Sequence, residues 1–230
     1  MAESARTPAG NRERSTVVLL SGGVDSSVLL HQVHEDGRAL PVFIDYGQRT
    51  FGPERRAAEA QCAALGLVLV RLDASAVSAA LEPPQGTRPH SPLPHRNLVL
   101  VSLALSYAVS ARASSVAVAV IRDDLGRYAC TSASFWYTLR DLAATAGAVS
   151  LSTPLIYLDK AAVMEEGRRL GVDFSRTYSC VVGNETHCGR CYQCESRRNA
   201  AKRIGLAEPP GFYQRDAAPI VSPEQPVFAD

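Results

Sequence analysis

The sequence predicts an α/β fold, a mostly parallel sheet with helices on both faces, extended by a small cysteine-rich appendix. Three observations carry this. Short apolar runs that read as buried strands alternate with helical patterns from residue 16 to residue 171. The first run stops at two glycines and turns straight into a helix, the kind of junction at which open α/β sheets hold ligands. Beyond residue 171 the alternation gives way to cysteines and basic residues.

Thr16–Leu20 is the first strand, an apolar run bounded by turn residues, and Ser26–Glu35 the first helix. Leu40–Ile44 is the second strand. Pro53–Gly66 is a helix with proline near its start and glycine at its end. Leu67–Leu72 is the third strand, and the proline-rich residues 73–95 read as a long loop. Asn97–Ala111 is apolar enough to expect a buried helix. Val116–Ile121 is the fourth strand, residues 122–131 a loop and Ser132–Ala144 a helix. A short strand near Val149 leads to a helix capped by Asp159. The organisation expected is a disordered polar leader over 1–15, an α/β body over 16–171, a metal-binding helical appendix over 172–206 and an irregular tail over 207–230, which carries five prolines.

Composition excludes several classes. The 230 residues are 46% apolar and 20% charged, enough for a sizeable core, and the net charge of +1 gives no global electrostatic case for nucleic acid or membranes. No apolar run approaches a membrane span, and the N-terminus lacks the apolar core of a signal peptide, so a cytoplasmic protein is expected.

The stretch VVLLSGGVDSSVLL, residues 17–30, carries the first chemistry. Gly22 and Gly23 let the backbone turn sharply, and the helix that follows turns free N–H groups and the positive end of its dipole toward the turn. Ser21, Ser26 and Ser27 add hydroxyls and Asp25 a carboxylate. A strand, a glycine turn and a helix N-terminus make an anion site. It is not a Walker loop, whose lysine and spacing are absent.

The second constellation is Cys180, Cys188, Cys191 and Cys194, separated by seven, two and two residues. Four thiolates close a tetrahedral shell around Zn²⁺ and leave no open position, which points to a structural site. An iron–sulfur cluster also takes four thiolates and is the alternative. Arg190, Arg197, Arg198, Lys202 and Arg203 are placed to offset the negative charge of the site. His187, adjacent to Cys188, is read as a bystander, Cys62 as a core residue, and Cys130 has no assigned role.

The glycine turn resembles the S-G-G-x-D-S loop of the ATP pyrophosphatases. With the cysteine knuckle, the chain resembles the 7-cyano-7-deazaguanine synthases of queuosine biosynthesis. Further stretches are similar and run in the same order: FIDYGQR (Phe43–Arg49), PHRNLVLVSLALSYA with His95 where the family has glycine, and TPLIYLDKAAV with Lys160. The resemblance covers residues 16–206. It implies a Rossmann-like (adenine nucleotide alpha hydrolase-like) domain that uses ATP and Mg²⁺, holds Zn²⁺ and forms a homodimer. It implies a reaction in which ATP adenylates the carboxylate of a deazapurine, ammonia gives the amide, and a second ATP leads to the nitrile. On this reading Asp25, Arg96 and Lys160 are the catalytic candidates, and Asp45, Tyr46 and Gln48 line the nucleotide or base pocket.

One departure stands out. After the fourth strand the family reads G-Y-P-D-C-R, a segment that helps to hold the deazaguanine. Here the D-C-R core is missing from VIRDDLGRYACTSASFWYTL, and Ala119-Val120 replaces the usual glycine. The activating half therefore matches and the recognition half is altered. Three alternatives follow: a ligase with another acceptor, a tRNA thiolase using Cys130 or a cluster, and an RNA-binding knuckle.

Overall fold

A computed structural model describes residues 15–81, 93–127, 129–147 and 149–214. The leader, most of the proline-rich stretch and the tail from residue 215 lie outside the described residues. Five parallel strands, β1 (Ser15–Leu19), β2 (Arg38–Asp45), β3 (Val70–Asp73), β4 (Ser115–Ala117) and β5 (Ser150–Ser152), form one sheet in the order β3-β2-β1-β4-β5. The first strand lies at the centre, and the order reverses beside it. The α-helices are α1 (Val24–Asp36), α2 (Phe51–Ala64), α3 (Ser75–Ala80), α4 (Arg96–Ser110), α5 (Ala133–Ala146), α6 (Lys160–Arg169) and α7 (Tyr192–Arg203). This is the Rossmann-like architecture expected.

Alternation along the strands divides the core in two. Val18, Phe43 and Ala117 face an apolar layer built by α1, α2, α6 and α7, while Val17, Val42, Ile44 and Val116 face α4 and α5. Residues beyond the expected α/β body share the first layer. Val172 and Phe174 pack there, as do Ala200 and Ala201 of α7. Gly167 makes this packing possible. A Cβ there would lie 2.6 Å from both Phe174 Cζ and Val28 Cγ2, so only glycine lets α6 and α1 close around Phe174.

Three expectations need correction. The third strand begins at Val70, because Leu67 and Leu69 pack against the core from an irregular segment. The stretch 73–95 contains α3, whose start follows the Ala74 N–H···O=C Asp45 bond of 2.7 Å. The helix α4 is buried on one face only. Val101, Ala104 and Ala108 follow the three-and-four spacing of a helix face and are buried, while Leu98 and Val109 are exposed. The expected tail is irregular over its described residues, 207–214, and its beginning is anchored on His187. Gln214 donates its N–H to His187 O at 2.8 Å, and Phe212 and Tyr213 pack on His187. Among the described residues no helix is long and apolar enough to cross a membrane.

Candidate active site

The turn after β1 has three anchors. Gly22 holds φ of +75°, and a Cβ there would lie 2.5 Å from Glu54 O and 2.7 Å from Ala58 N of α2. Its carbonyl accepts the Tyr178 N–H at 2.8 Å. The Ser26 hydroxyl folds back over the turn, accepting from Ser21 N at 3.2 Å, lying 3.0 Å from Ser21 Oγ and 3.2 Å from Gly23 O. No side chain caps α1, whose N-cap is Gly23. Its first-turn N–H groups therefore face outward, free for an anion.

That turn borders a cavity of about 280 Å³ over the carboxyl ends of β2, β1 and β4. From the far side of the chain α6 delivers Lys160. Asp159 caps this helix by accepting Ala162 N–H at 2.8 Å, and Asp123 accepts the Lys160 N–H at 2.9 Å. The side chain of Lys160, 6% exposed, reaches Asp25 Oδ2 at 2.6 Å. Asp25 Oδ1 is buried with no partner among the described residues. Asp124 stands close by. Burial raises its carboxyl above the usual range, against the pull of Lys160, and the charge of Asp25 adds to the rise.

The opposite wall follows β2. Gln48 accepts the Tyr46 N–H at 2.9 Å and donates to Ile44 O at 3.2 Å and Glu54 Oε2 at 3.3 Å. It thus ties the loop to the first turn of α2. Glu54 also accepts from Thr50 Oγ1 at 2.7 Å, and burial raises its carboxyl. Burial likewise raises the Tyr46 phenol, against the pull of Arg96 at the start of α4. Asn97 receives Arg96 through Oδ1 and donates to Cys130 O at 2.9 Å. His95, just before Arg96, adopts a left-handed conformation with φ of 48°. A residue without a Cβ would adopt this conformation at less cost.

The cysteines form a third wall. The sulfurs of Cys180, Cys188, Cys191 and Cys194 all lie within 4.8 Å of one another, and all four residues are buried. Cys180 Sγ accepts N–H groups from Val182 and Cys188, each at 3.4 Å, and Cys188 Sγ accepts from Cys191 N at 3.3 Å. Such donors are what thiolates around a metal require. Four thiolates at this spacing fit a single ion, whereas a four-iron cube carries one thiolate on each iron and spreads them farther apart. The cluster fits structural zinc. Tyr178, Ser179, Cys180, Val181 and Gln193 also border the cavity, so the knuckle is part of its wall.

A sequence profile of the queuosine biosynthesis protein QueC family matches residues 15–205. The chain belongs to this family. A 7-cyano-7-deazaguanine synthase from Alteromonas mediterranea is 31% identical over 212 residues, covering 85% of this chain and 97% of that one. Among solved structures, a 4-thiouridine synthetase in complex with RNA and ATP superposes with a TM-score of 0.55 at 14% identity, covering 84% of this chain and 50% of that one. An NH3-dependent NAD synthetase from Campylobacter jejuni gives 0.50 at 18% identity, covering 70% and 66%. These two likenesses establish the fold.

Of the residues singled out in sequence, the structure of this QueC-family chain brings Ser21, Gly23, Asp25, Ser26, Tyr46, Gln48, Arg96 and Lys160 to one cavity. Three lie off its wall. Gly22 is spent on the close approach of α2. Ser27 is fully buried inside α1. Asp45 turns away to accept Gly47 N at 3.1 Å, with Arg71 3.9 Å from its other oxygen. Arg197 is no distant counter-charge for the thiolates. It is buried, paired with Glu208 at 2.5 Å, and donates to Phe174 O at 2.6 Å and Thr177 Oγ1 at 2.8 Å. His187 accepts Ser179 N–H at 2.9 Å and is pushed down to about 4 by burial. It supports the cavity wall from outside the metal cluster. Cys62 is core, as expected, with its thiol pushed up to about 12 by burial.

Sequence reasoning missed Glu54, Asn97, Trp136 and Gln193 on the wall. Two had a signal. Glu54 stands in the first turn of α2, six residues after Gln48, and Asn97 directly follows Arg96. Trp136 and Gln193 had none: a helical pattern does not mark Trp136, and the cysteines and basic residues around Gln193 do not mark an amide.

Proposed function

We propose that this protein is an ATP-dependent carbon–nitrogen ligase that converts 7-carboxy-7-deazaguanine to 7-cyano-7-deazaguanine. The observation that carries the reading is the uncapped N-terminus of α1 opening on the same cavity as Lys160 and Asp25, in a chain 31% identical to a synthase of that name. The acceptor carboxylate attacks the α-phosphorus of ATP and expels pyrophosphate. Ammonia then displaces AMP to give the amide and releases a proton. The amide oxygen then attacks the α-phosphorus of a second ATP and expels its pyrophosphate, and loss of AMP and of both protons on the amide nitrogen leaves the nitrile. The α1 N–H groups and the Ser21 hydroxyl receive charge that builds on the departing phosphates without reorganising. Lys160 adds a full positive charge beside them, and Arg96 is placed to hold the acceptor's carboxylate. The unpartnered Asp25 Oδ1 fits Mg²⁺, which when bound would offset phosphate charge.

The purified protein with 7-carboxy-7-deazaguanine, ammonium and Mg-ATP should release AMP and pyrophosphate and form the nitrile. AMP release that ignores the deazapurine would sink this acceptor. A second reading, the same activation serving another acceptor, is favoured by the altered 122–134 segment. A panel of heterocyclic carboxylates separates the two. Sulfur transfer is disfavoured because, among the described residues, no thiol outside the four-cysteine cluster borders the cavity. The RNA-binding reading leaves the cavity unused; salt-sensitive RNA affinity without ATP turnover would restore it. The proposal includes a cytoplasmic homodimer, for which the exposed Leu98 and Val109 of α4 offer an apolar face, and sedimentation equilibrium checks the dimer.

A further inference from the structure

Most polar side chains on the cavity wall are already satisfied within the protein. Ser21 and Ser26 bond each other, Gln48 bonds Glu54 and the loop backbone, Arg96 bonds Asn97, and Lys160 bonds Asp25. Two buried polar atoms on that wall have no partner among the described residues: Asp25 Oδ1 and the indole Nε1 of Trp136. The first belongs to the phosphate end. The second lies elsewhere.

Trp136 sits in the first turn of α5 and is 4% exposed. Its Nε1–H can only donate. Leaving such a group buried and unpaired costs roughly 1–3 kcal/mol; phenylalanine would remove that cost but leave part of the space empty, so the two effects oppose each other. In the apolar layer that holds Trp136, Leu100, Val101 and Val118 also border the cavity. This part of the cavity is an apolar slot with one unspent donor, the construction of a site for a flat heterocycle.

We propose that the Trp136 indole N–H donates to an exocyclic carbonyl or ring nitrogen of the acceptor heterocycle and so helps to decide which acceptor is used. The inference rests on the ligase reading above. ATP also carries ring nitrogens, but the geometry divides the two. The α1 N-terminus, where phosphates bind, follows β1. The walls that follow β2 and β4 flank it in the sheet order β2-β1-β4. One heterocycle therefore takes each wall. Trp136 lies on the β4 side, directly after the segment where this sequence departs from the family pattern.

Trp136 is the single tryptophan of the chain, so its emission reports its own surroundings. Titration of the full-length protein with 7-carboxy-7-deazaguanine, 7-deazaguanine and guanine, without ATP, should shift or quench the emission for at least one of them. A non-hydrolysable ATP analogue with Mg²⁺ should leave it unchanged. The Trp136→Phe protein should keep its melting temperature while the acceptor KM rises at least about tenfold and the ATP KM stays within about twofold. Emission that responds to the ATP analogue alone overturns the inference, as does an unchanged acceptor KM in the phenylalanine variant. A wild-type protein that makes no nitrile defeats the ligase reading instead. The emission titration still decides Trp136 in that case, and flat emission with all three heterocycles overturns it.

Discussion

Lys160 brings a cation into a wall where almost none of it meets water, and its contact is Asp25 Oδ2 at 2.6 Å. The pair is poised to be rearranged when phosphates arrive, since the amino group then gains a second anion to face. Lys160→Met and Asp25→Asn should each lower AMP release at saturating ATP by at least about tenfold, the equivalent of about 1.4 kcal/mol of transition-state stabilisation. Unchanged turnover would remove the residue concerned from the site. Asp124 permits a test against pH. Its carboxyl titrates above the ordinary 3.8 because burial disfavours the anion. The folded state therefore holds the proton more tightly than the unfolded chain, and stability falls as pH rises from 3.8 through the raised value. Asp124→Asn should melt with the wild type below that window and at higher temperature by about pH 7. A gap that does not grow with pH would remove burial as the cause.

The junctions between elements show what was legible in the sequence. Residue type announces a strand–glycine–helix junction, since only certain residues can make one, and the glycine turn after β1 was found from this alone. The four cysteines were found for the same reason. The reach of a side chain depends on packing between elements far apart in the chain, and so Ser27 and Asp45 were placed on a wall they do not join. Glu54 was missed although it contacts Gln48. The start of α4 offers a test of local geometry. His95 holds φ of 48°, where a residue with a Cβ is strained by roughly 1–2 kcal/mol. Glycine there removes the strain but gives the unfolded chain more freedom to lose, about 0.5–1 kcal/mol. His95→Gly should therefore fold as well as the wild type or melt slightly higher, whereas His95→Val should melt lower. A glycine variant that melts well below wild type would mean that the imidazole contributes more than the strain costs.

At the scale of the whole molecule, the knuckle and the glycine turn are one assembly. The Tyr178 N–H bonds Gly22 O, and Arg197 holds the residues on either side of Tyr178. The two motifs are remote in sequence and touching in space. Loss of the metal should thus reach the nucleotide site. Cys188→Ser should bind less than one zinc per chain, lose residues after 171 to proteolysis, and weaken ATP binding by at least about tenfold, because binding energy at such a site is folding energy. Tight ATP binding by metal-free protein would separate the two.

The shared apolar layer also bears on how the protein is made. Val28 of α1 and Ala200 of α7 belong to one buried cluster, yet a ribosome adding about 5–20 residues per second reaches the second roughly 10–30 s after the first. Through that interval this layer lacks α7, although α6 already covers α1, with Gly167 set against Val28. The layer is completed only when α7 emerges, and capture of a metal by all four cysteines waits until Cys194 has been made.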